Sequence, residues 1–190
     1  TISSDQISEF DPLIKQAAEK ISWDWRLLAA LIYQESRFNV QAKSWAGAKG
    51  LMQVVPRTGK SFGVSDLHNP AENIKAGTGF LQWLEQLFDD KVLDSLERQK
   101  FVLASYNVGQ GHVLDAMRLV EKHGGDPQVW EGNVEKYLEL KSTPAYYNDP
   151  VVKFGYCRGR EPVQYVRKIL ARFEEYQLMF KPNVQEQVIP

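Results

Sequence analysis

Trp25-Arg26-Leu27-Leu28-Ala29-Ala30-Leu31-Ile32-Tyr33-Gln34-Glu35-Ser36 is followed, after a short gap, by Ser44-Trp45-Ala46-Gly47-Ala48-Lys49-Gly50-Leu51-Met52-Gln53. The first run predicts a helix over 25–36, opened by Asp24 as its cap. Leu28, Leu31 and Ile32 stand seven, four and three positions before Glu35, spacings that share one helix face, so the carboxylate extends an apolar stripe. The second run carries Gly47 and Gly50, which permit tight turns and let the chain fold back over the helix end.

Working outward, the pattern stays helical. Asp11-Pro12 has the form of a cap followed by proline at the first helical position, predicting a helix through about Ile21. Asn69-Pro70 opens another through about Phe88, and Ser95 caps one through about Asn107. Gly109 to Gly111 break the chain before a helix that ends at Gly124-Gly125, and 127–140 reads as a shorter helix. The last runs from about Glu161 to Phe180, with Tyr165, Ile169, Phe173, Tyr176 and Phe180 on one stripe. Residues 37–68, apart from a short helix after Pro56, and 142–160 read as long irregular connections, a kind that is usually functional or disordered. A short ribbon within 50–66 or 150–160 is the most strand this sequence allows. The expected architecture is therefore one all-α domain over 1–180, with 181–190 as a tail that lacks periodicity.

Composition narrows the function. Lys and Arg number 23 against 24 Asp and Glu, so the basic excess that displaces counterions from nucleic acid is missing. Cys157 is the only cysteine; it can form no internal disulfide and reads as a packed thiol. The longest apolar run, Leu27 to Tyr33, is far short of a membrane span. Any export signal or anchor is expected in regions outside this sequence, and membrane association only through them. Aromatics make up 12%, slightly rich, which suits either larger core residues or a groove that stacks on sugars. Trp45, Phe62, Trp83, Tyr146 and Tyr147 are the stacking candidates. His68, His112 and His123 lack ligand spacing: on one helix the last two would be roughly 16 Å apart. No metal or other cofactor is expected, and His112 and His123 read as surface or capping residues.

Glu35 is the residue that carries chemistry. An apolar face and the negative end of a helix dipole both raise a carboxyl pKa, and a carboxyl protonated near neutral pH is what a general acid requires. The alternative is a helix-end glutamate that turns to solvent or pairs with Arg26 or Arg37. The loop after it offers the Ser44 hydroxyl and the Gln53 amide as hydrogen-bonding partners, and Met52 suits either the core or the wall of a sugar subsite.

Three segments resemble the catalytic domain of the soluble-type (family 1) lytic transglycosylases. They are Glu35-Ser36 with Gly47-Ala48-Lys49-Gly50-Leu51-Met52-Gln53, then Ala104-Ser105-Tyr106-Asn107-Val108-Gly109, then Glu161-Pro162-Val163-Gln164-Tyr165-Val166. They occur in the family's order across 24–180, and 25–36 is most similar to the membrane-bound murein transglycosylase F branch. Pro162, in place of the usual Thr, and Gly59, in place of a common Ala, are departures that leave Glu35 untouched.

The resemblance implies a lysozyme-like (goose-type) helical fold with a substrate groove. It implies peptidoglycan glycan strands and muropeptides as partners, and action in the periplasm, outer-membrane-associated in the full-length protein. The expected protein is monomeric. The implied reaction cleaves the bond from N-acetylmuramic acid to N-acetylglucosamine without water, giving 1,6-anhydro ends, with Glu35 as acid and then base. Ser44, Met52, Gln53, Tyr106, Asn107, Glu161 and Tyr165 are the implied substrate-binding set, Tyr106 and Tyr165 orienting the Glu35 carboxyl or the acetamido group. Ordinary glycosidases use two carboxylates. Glu161, at a helix start where the dipole favours the anion, is the one serious second acid, and the resemblance gives it a supporting role. A lysozyme-like hydrolase and a catalytically silent wall-binding module remain the alternatives.

Overall fold

A computed structural model describes residues 5–181, and among them every regular element is a helix. Isolated bridges pair Lys43 with Lys49 and Lys49 with Val54, so the ribbon expected near 50–66 shrinks to single pairs and begins earlier. The expected tail, apart from Lys181, lies outside the described residues. The described residues divide into two compact units, 5–76 with 169–181, and 77–168.

The first unit is built on α1 (Asp11–Lys20) and α2 (Trp25–Ser36), with the short α3 (Pro56–Ser61). It also takes the first turns of α4 (Pro70–Phe88) and the second half of α9 (Arg160–Met179). Leu27 to Ile32 of α2 are each no more than 1% exposed, so this helix is the core of its unit. Asp24 caps it as expected, accepting from the Arg26 amide at 2.9 Å. Asp11 differs. It is the first helical residue rather than the cap, and its carboxylate accepts the Ile7 and Ser8 amides and the Ser8 hydroxyl. It therefore caps the approach to α1, because those orphan donors point back at it.

The second unit holds the rest of α4, α5 (Ser95–Val108), α6 (Gln110–Lys122), α7 (Glu135–Leu140), α8 (Pro144–Tyr147) and the start of α9. Asp94, not Ser95, caps α5, accepting from the Leu96 and Glu97 amides; both types cap well, and the carboxylate one step earlier takes the geometry. The expected helix over 127–140 is interrupted at Glu131 and Gly132, which leave helical φ/ψ and make a wide turn at Trp130–Val134 before α7. Phe88, Phe101 and Trp130 fill this unit edge to face, with centroids 6.0 and 5.8 Å apart.

His112 is not a surface residue: it is half-buried, and its Nδ1 lies 2.9 Å from the Lys141 Nζ. His123 follows α6 as its cap and stacks on Tyr137 at 5.2 Å. Cys157 is buried, and burial pushes its thiol up to about 11, an inert packed cysteine.

Candidate active site

Glu35 occupies the last turn of α2, where the helix passes from full burial to half-burial. The helix stops sharply behind it. Arg37 and Phe38 take φ of 51° and 61° in succession, a left-handed pair that non-glycine residues adopt only when surroundings impose it. Arg26 and Arg37, the two neighbouring cations, each make contacts of their own. Arg26 pairs with Asp24 at 2.6 Å and donates to the Phe180 carbonyl at 2.7 Å, and Arg37 lies over the Tyr33 ring at 5.9 Å. Burial alone would raise the Asp24 carboxyl, but the Arg26 side chain and amide outweigh it and hold the group below its ordinary value.

The glycine-containing loop is fastened to this helix end. Ser36 Oγ donates to the Leu51 carbonyl at 2.7 Å. Lys49 and Val54 exchange amide–carbonyl bonds at 3.0 Å each. Gly50 donates to the Ala42 carbonyl at 2.9 Å. Gly50 is obligatory: its φ is +75°, and a Cβ there would fall 2.2 Å from the Leu67 carbonyl oxygen and 2.3 Å from the Asn73 amide.

Asn73 is the hub of this loop, and sequence reasoning missed it. Its Oδ1 accepts the Met52 amide at 2.7 Å, and its Nδ2 donates to the Lys49 and Leu67 carbonyls at 2.8 Å each. It is 1% exposed, so one side chain satisfies three buried backbone groups. The only local signal is a polar residue in the first turn of α4, four positions after Asn69, which looks like any solvent-facing helix asparagine.

The Ser44 and Gln53 side chains, expected to reach toward Glu35, make their hydrogen bonds inside the loop. Ser44 Oγ accepts the Ala48 amide at 3.1 Å, and the Gln53 amide donates to the Ala42 and Gly50 carbonyls at 3.1 and 3.0 Å. Gln53 itself holds a left-handed φ of 50°. Met52 is fully buried, which places its side chain in the core. Trp45, by contrast, is fully exposed at the loop tip.

In the second unit, Tyr106 is half-buried near the end of α5, with its ring 5.5 Å from Phe80. Phe80 stacks on Trp83 at 6.0 Å and an 18° interplanar angle, and Trp83 is 43% exposed. Phe80, which the sequence does not single out, thus joins Tyr106 to the exposed Trp83, one of the five stacking candidates. Asn107 is exposed beside Tyr106, and Gly109, at φ +95°, turns the chain from α5 into α6. Glu161 stands in the first turn of α9 and pairs with Arg158 at 3.2 Å, an exposed bridge that fixes little. Tyr165 is buried on the α9 stripe.

At the other end of α2 is a cleft of about 880 Å³ lined by Lys15, Trp23, Trp25, Arg26 and Phe180 among others. No candidate residue lines it, and nine residues of helix, roughly 14 Å, separate Arg26 from Glu35. Two of its cations are engaged: Lys15 lies 4.5 Å over the Trp25 ring, and Arg26 is held as described.

The family model described as Transglycosylase SLT domain matches residues 12–129. The chain is 41% identical over 169 residues to a membrane-bound lytic murein transglycosylase F of Desulfosudis oleivorans, covering 89% of this chain and 36% of that protein. It is 40% identical over 163 residues to the protein of that description in Haemophilus influenzae, covering 86% and 33%. The chain thus spans about a third of the length of the relatives it matches. Among solved structures, the 70 kDa soluble lytic transglycosylase of Escherichia coli aligns with TM-score 0.60 and 25% identity, over 89% of this chain and 24% of that one. The lytic transglycosylase Slt of Pseudomonas aeruginosa aligns with TM-score 0.57 and 21% identity, over 90% and 24%. The lysozyme-like helical fold is the one shared with these enzymes, and the chain belongs to the transglycosylase SLT domain family.

Proposed function

We propose that residues 1–180 form a catalytic domain that cuts peptidoglycan glycan strands without water, with Glu35 as the single acid and base. Glu35 begins protonated. Its proton passes to the oxygen joining N-acetylmuramic acid to N-acetylglucosamine as the C1–O bond breaks, the neighbouring acetamido group helping to stabilise the cation that develops. The carboxylate then takes the proton of the muramoyl 6-hydroxyl as that oxygen bonds to C1, which closes the 1,6-anhydro ring and restores the acid. Intramolecular attack has a high effective molarity, so neither an activated water nor a second carboxylate is required.

The observation that carries this reading is the placement of Glu35. It stands at the half-buried end of a buried helix, locked to the motif loop through Ser36 and Leu51. Membership of the SLT family and the names of its relatives support the same chemistry. Ser44, Met52 and Gln53 serve by shaping the loop beside Glu35. Tyr106, Asn107, Glu161 and Tyr165 complete the substrate-binding set, and the Phe80–Trp83 stack offers flat surfaces for sugar rings.

The relatives are named membrane-bound; among the described residues no helix is long and apolar enough to cross a membrane. We place the activity in the periplasm, on the wall, by a monomeric domain anchored through other regions. Glu35→Gln on purified sacculi is the test: it abolishes muropeptide release and keeps glycan binding. Mass spectrometry of the wild-type products reads one water less than hydrolysis gives. Release by the variant at the wild-type rate, or hydrated products, would overturn the reading.

A further inference from the structure

Asp115 of α6 is a fully buried carboxylate whose hydrogen bonds hold a distant loop. It accepts from Lys141 Nζ at 2.7 Å, from the backbone amides of Lys153 and Phe154 at 2.8 Å each, and from Arg118. Arg118 also donates to the Val151 carbonyl at 2.9 Å, and Lys122 pairs with Asp149 at 2.5 Å. One face of α6 therefore grips residues 149–154 at four points. Burial alone would raise the Asp115 carboxyl, but Lys141, the two amides and Arg118 outweigh it and keep it ionised below its ordinary range.

This clamp displays what a loop ordinarily hides. Phe154 is 57% exposed and Tyr156 is 56% exposed. The Phe154 ring is seated on Gly111, where a Cβ would come within 2.7 Å of the ring carbons. Tyr147 braces Tyr156 edge to face at 5.7 Å. Both rings are held in place yet left in water, the condition of a platform organised before its ligand arrives.

We propose that Phe154 and Tyr156 form an accessory stacking site for the acetamido-sugar rings of a glycan strand. The proposal rests on the peptidoglycan reading given above. Area favours a sugar over a protein. A ring side chain of about 200 Å² at these exposures leaves roughly 110 Å² each, far below the about 800 Å² per partner of a stable protein interface. It matches one or two pyranose faces. Lys153 and Arg158, both exposed, flank the rings with donors suited to sugar hydroxyl and acetamido oxygens.

The test uses the Glu35→Gln protein titrated calorimetrically with peptide-free glycan strands, and separately with free stem peptide. Phe154→Ala with Tyr156→Ala weakens glycan binding about tenfold, the size of one stacking contact, with the melting temperature checked against the parent. Phe154→Trp retains affinity because it keeps a flat face. Phe154→Leu loses it, although it keeps apolar bulk. Unchanged glycan affinity in the double variant, Leu serving as well as Phe, or a loss confined to stem peptide would each overturn the site. Failure of the Glu35→Gln parent itself to bind glycan would instead sink the peptidoglycan reading, and this site with it.

Discussion

Ser36 Oγ donates to the Leu51 carbonyl at 2.7 Å, tying the residue next to Glu35 to a loop fifteen positions further on. The same hydroxyl lies 3.2 Å from the Ile32 carbonyl, so it bridges the helix and the loop at once. The pairing gives physical content to a sequence pattern. One side chain thus fastens the Glu-Ser pair to the Gly-Leu-Met-Gln run. Ser36→Ala leaves the Leu51 carbonyl without its donor and lowers stability by about 1–2 kcal/mol. Turnover of sacculi falls about tenfold with KM little changed, since the carboxylate is still present but less well placed. Ser36→Thr restores most of it. Urea unfolding alongside steady-state rates checks both effects, and an alanine variant with wild-type turnover would contradict the argument.

Asn73→Ala removes one acceptor and two donors from buried backbone groups at Met52, Lys49 and Leu67. At about 1 kcal/mol each net, with desolvated groups left behind, the loss reaches about 3 kcal/mol or more. Asn73→Asp does not rescue it, because a carboxylate keeps the bond from Met52 but faces two carbonyl oxygens. Hydrogen exchange at the Met52 amide quickens in both variants; protection equal to wild type would show that the hub is dispensable.

Two glycines of one loop separate strain from space. Gly47, at φ +86°, has open space within 4 Å of where a Cβ would stand, whereas Gly50 would drive its Cβ into the Leu67 backbone. Gly47→Ala costs only the left-handed backbone, about 1–2 kcal/mol. Gly50→Ala adds a collision with backbone that cannot swing aside, so the variant loses far more stability and soluble yield than Gly47→Ala. Soluble expression of both variants, with thermal melts of whatever folds, decides it, and equal losses count against the distinction.

Ser105 is 1% exposed, and among the described residues its hydroxyl has no hydrogen-bond partner. Ser105→Ala removes an unsatisfied polar atom and adds helix propensity, so stability stays level or rises by about 0.5 kcal/mol. A destabilisation above about 1 kcal/mol in chemical denaturation would mean that the hydroxyl is satisfied by solvent.

Much of this was legible in the sequence because it is local. The bounds of α2 and its Asp24 cap follow from apolar spacing and one side chain, and α4 begins at Pro70 as Asn69-Pro70 dictates. Where the structure departs, the winning interaction is a near neighbour or a distant one. Asp11 is taken by Ile7 and Ser8, Asp94 displaces Ser95, and Gly132 breaks the helix expected through 140. The position of Glu35, at the end of an apolar stripe and beside its loop, could be read from sequence. Asn73 and the Asp115 clamp could not, since Asn73 reaches Met52 across 21 residues and Asp115 reaches Phe154 across 39. A buried asparagine and a buried aspartate look the same in sequence as solvated ones.

His112 makes the clamp around Asp115 sensitive to mild acid. Burial, then the charge of Lys141, lowers the imidazole below its ordinary value of 6.5, with Asp115 opposing them. The unfolded chain therefore takes up a proton near pH 6.5 while the folded protein does not. Stability from this source is complete above about pH 6.5 and drains away as pH falls toward the depressed folded value. Asp115 acts in a separate window: its folded value is depressed, so its contribution holds above the ordinary carboxylate range and is lost only below about pH 4. His112→Asn keeps an acceptor toward Lys141 and removes the titration. Its melting temperature is consequently flatter than wild type between about pH 5 and 7, with the same collapse in stronger acid. Parallel slopes for the two proteins across that range, followed by circular dichroism, would show that the imidazole is not the group that responds.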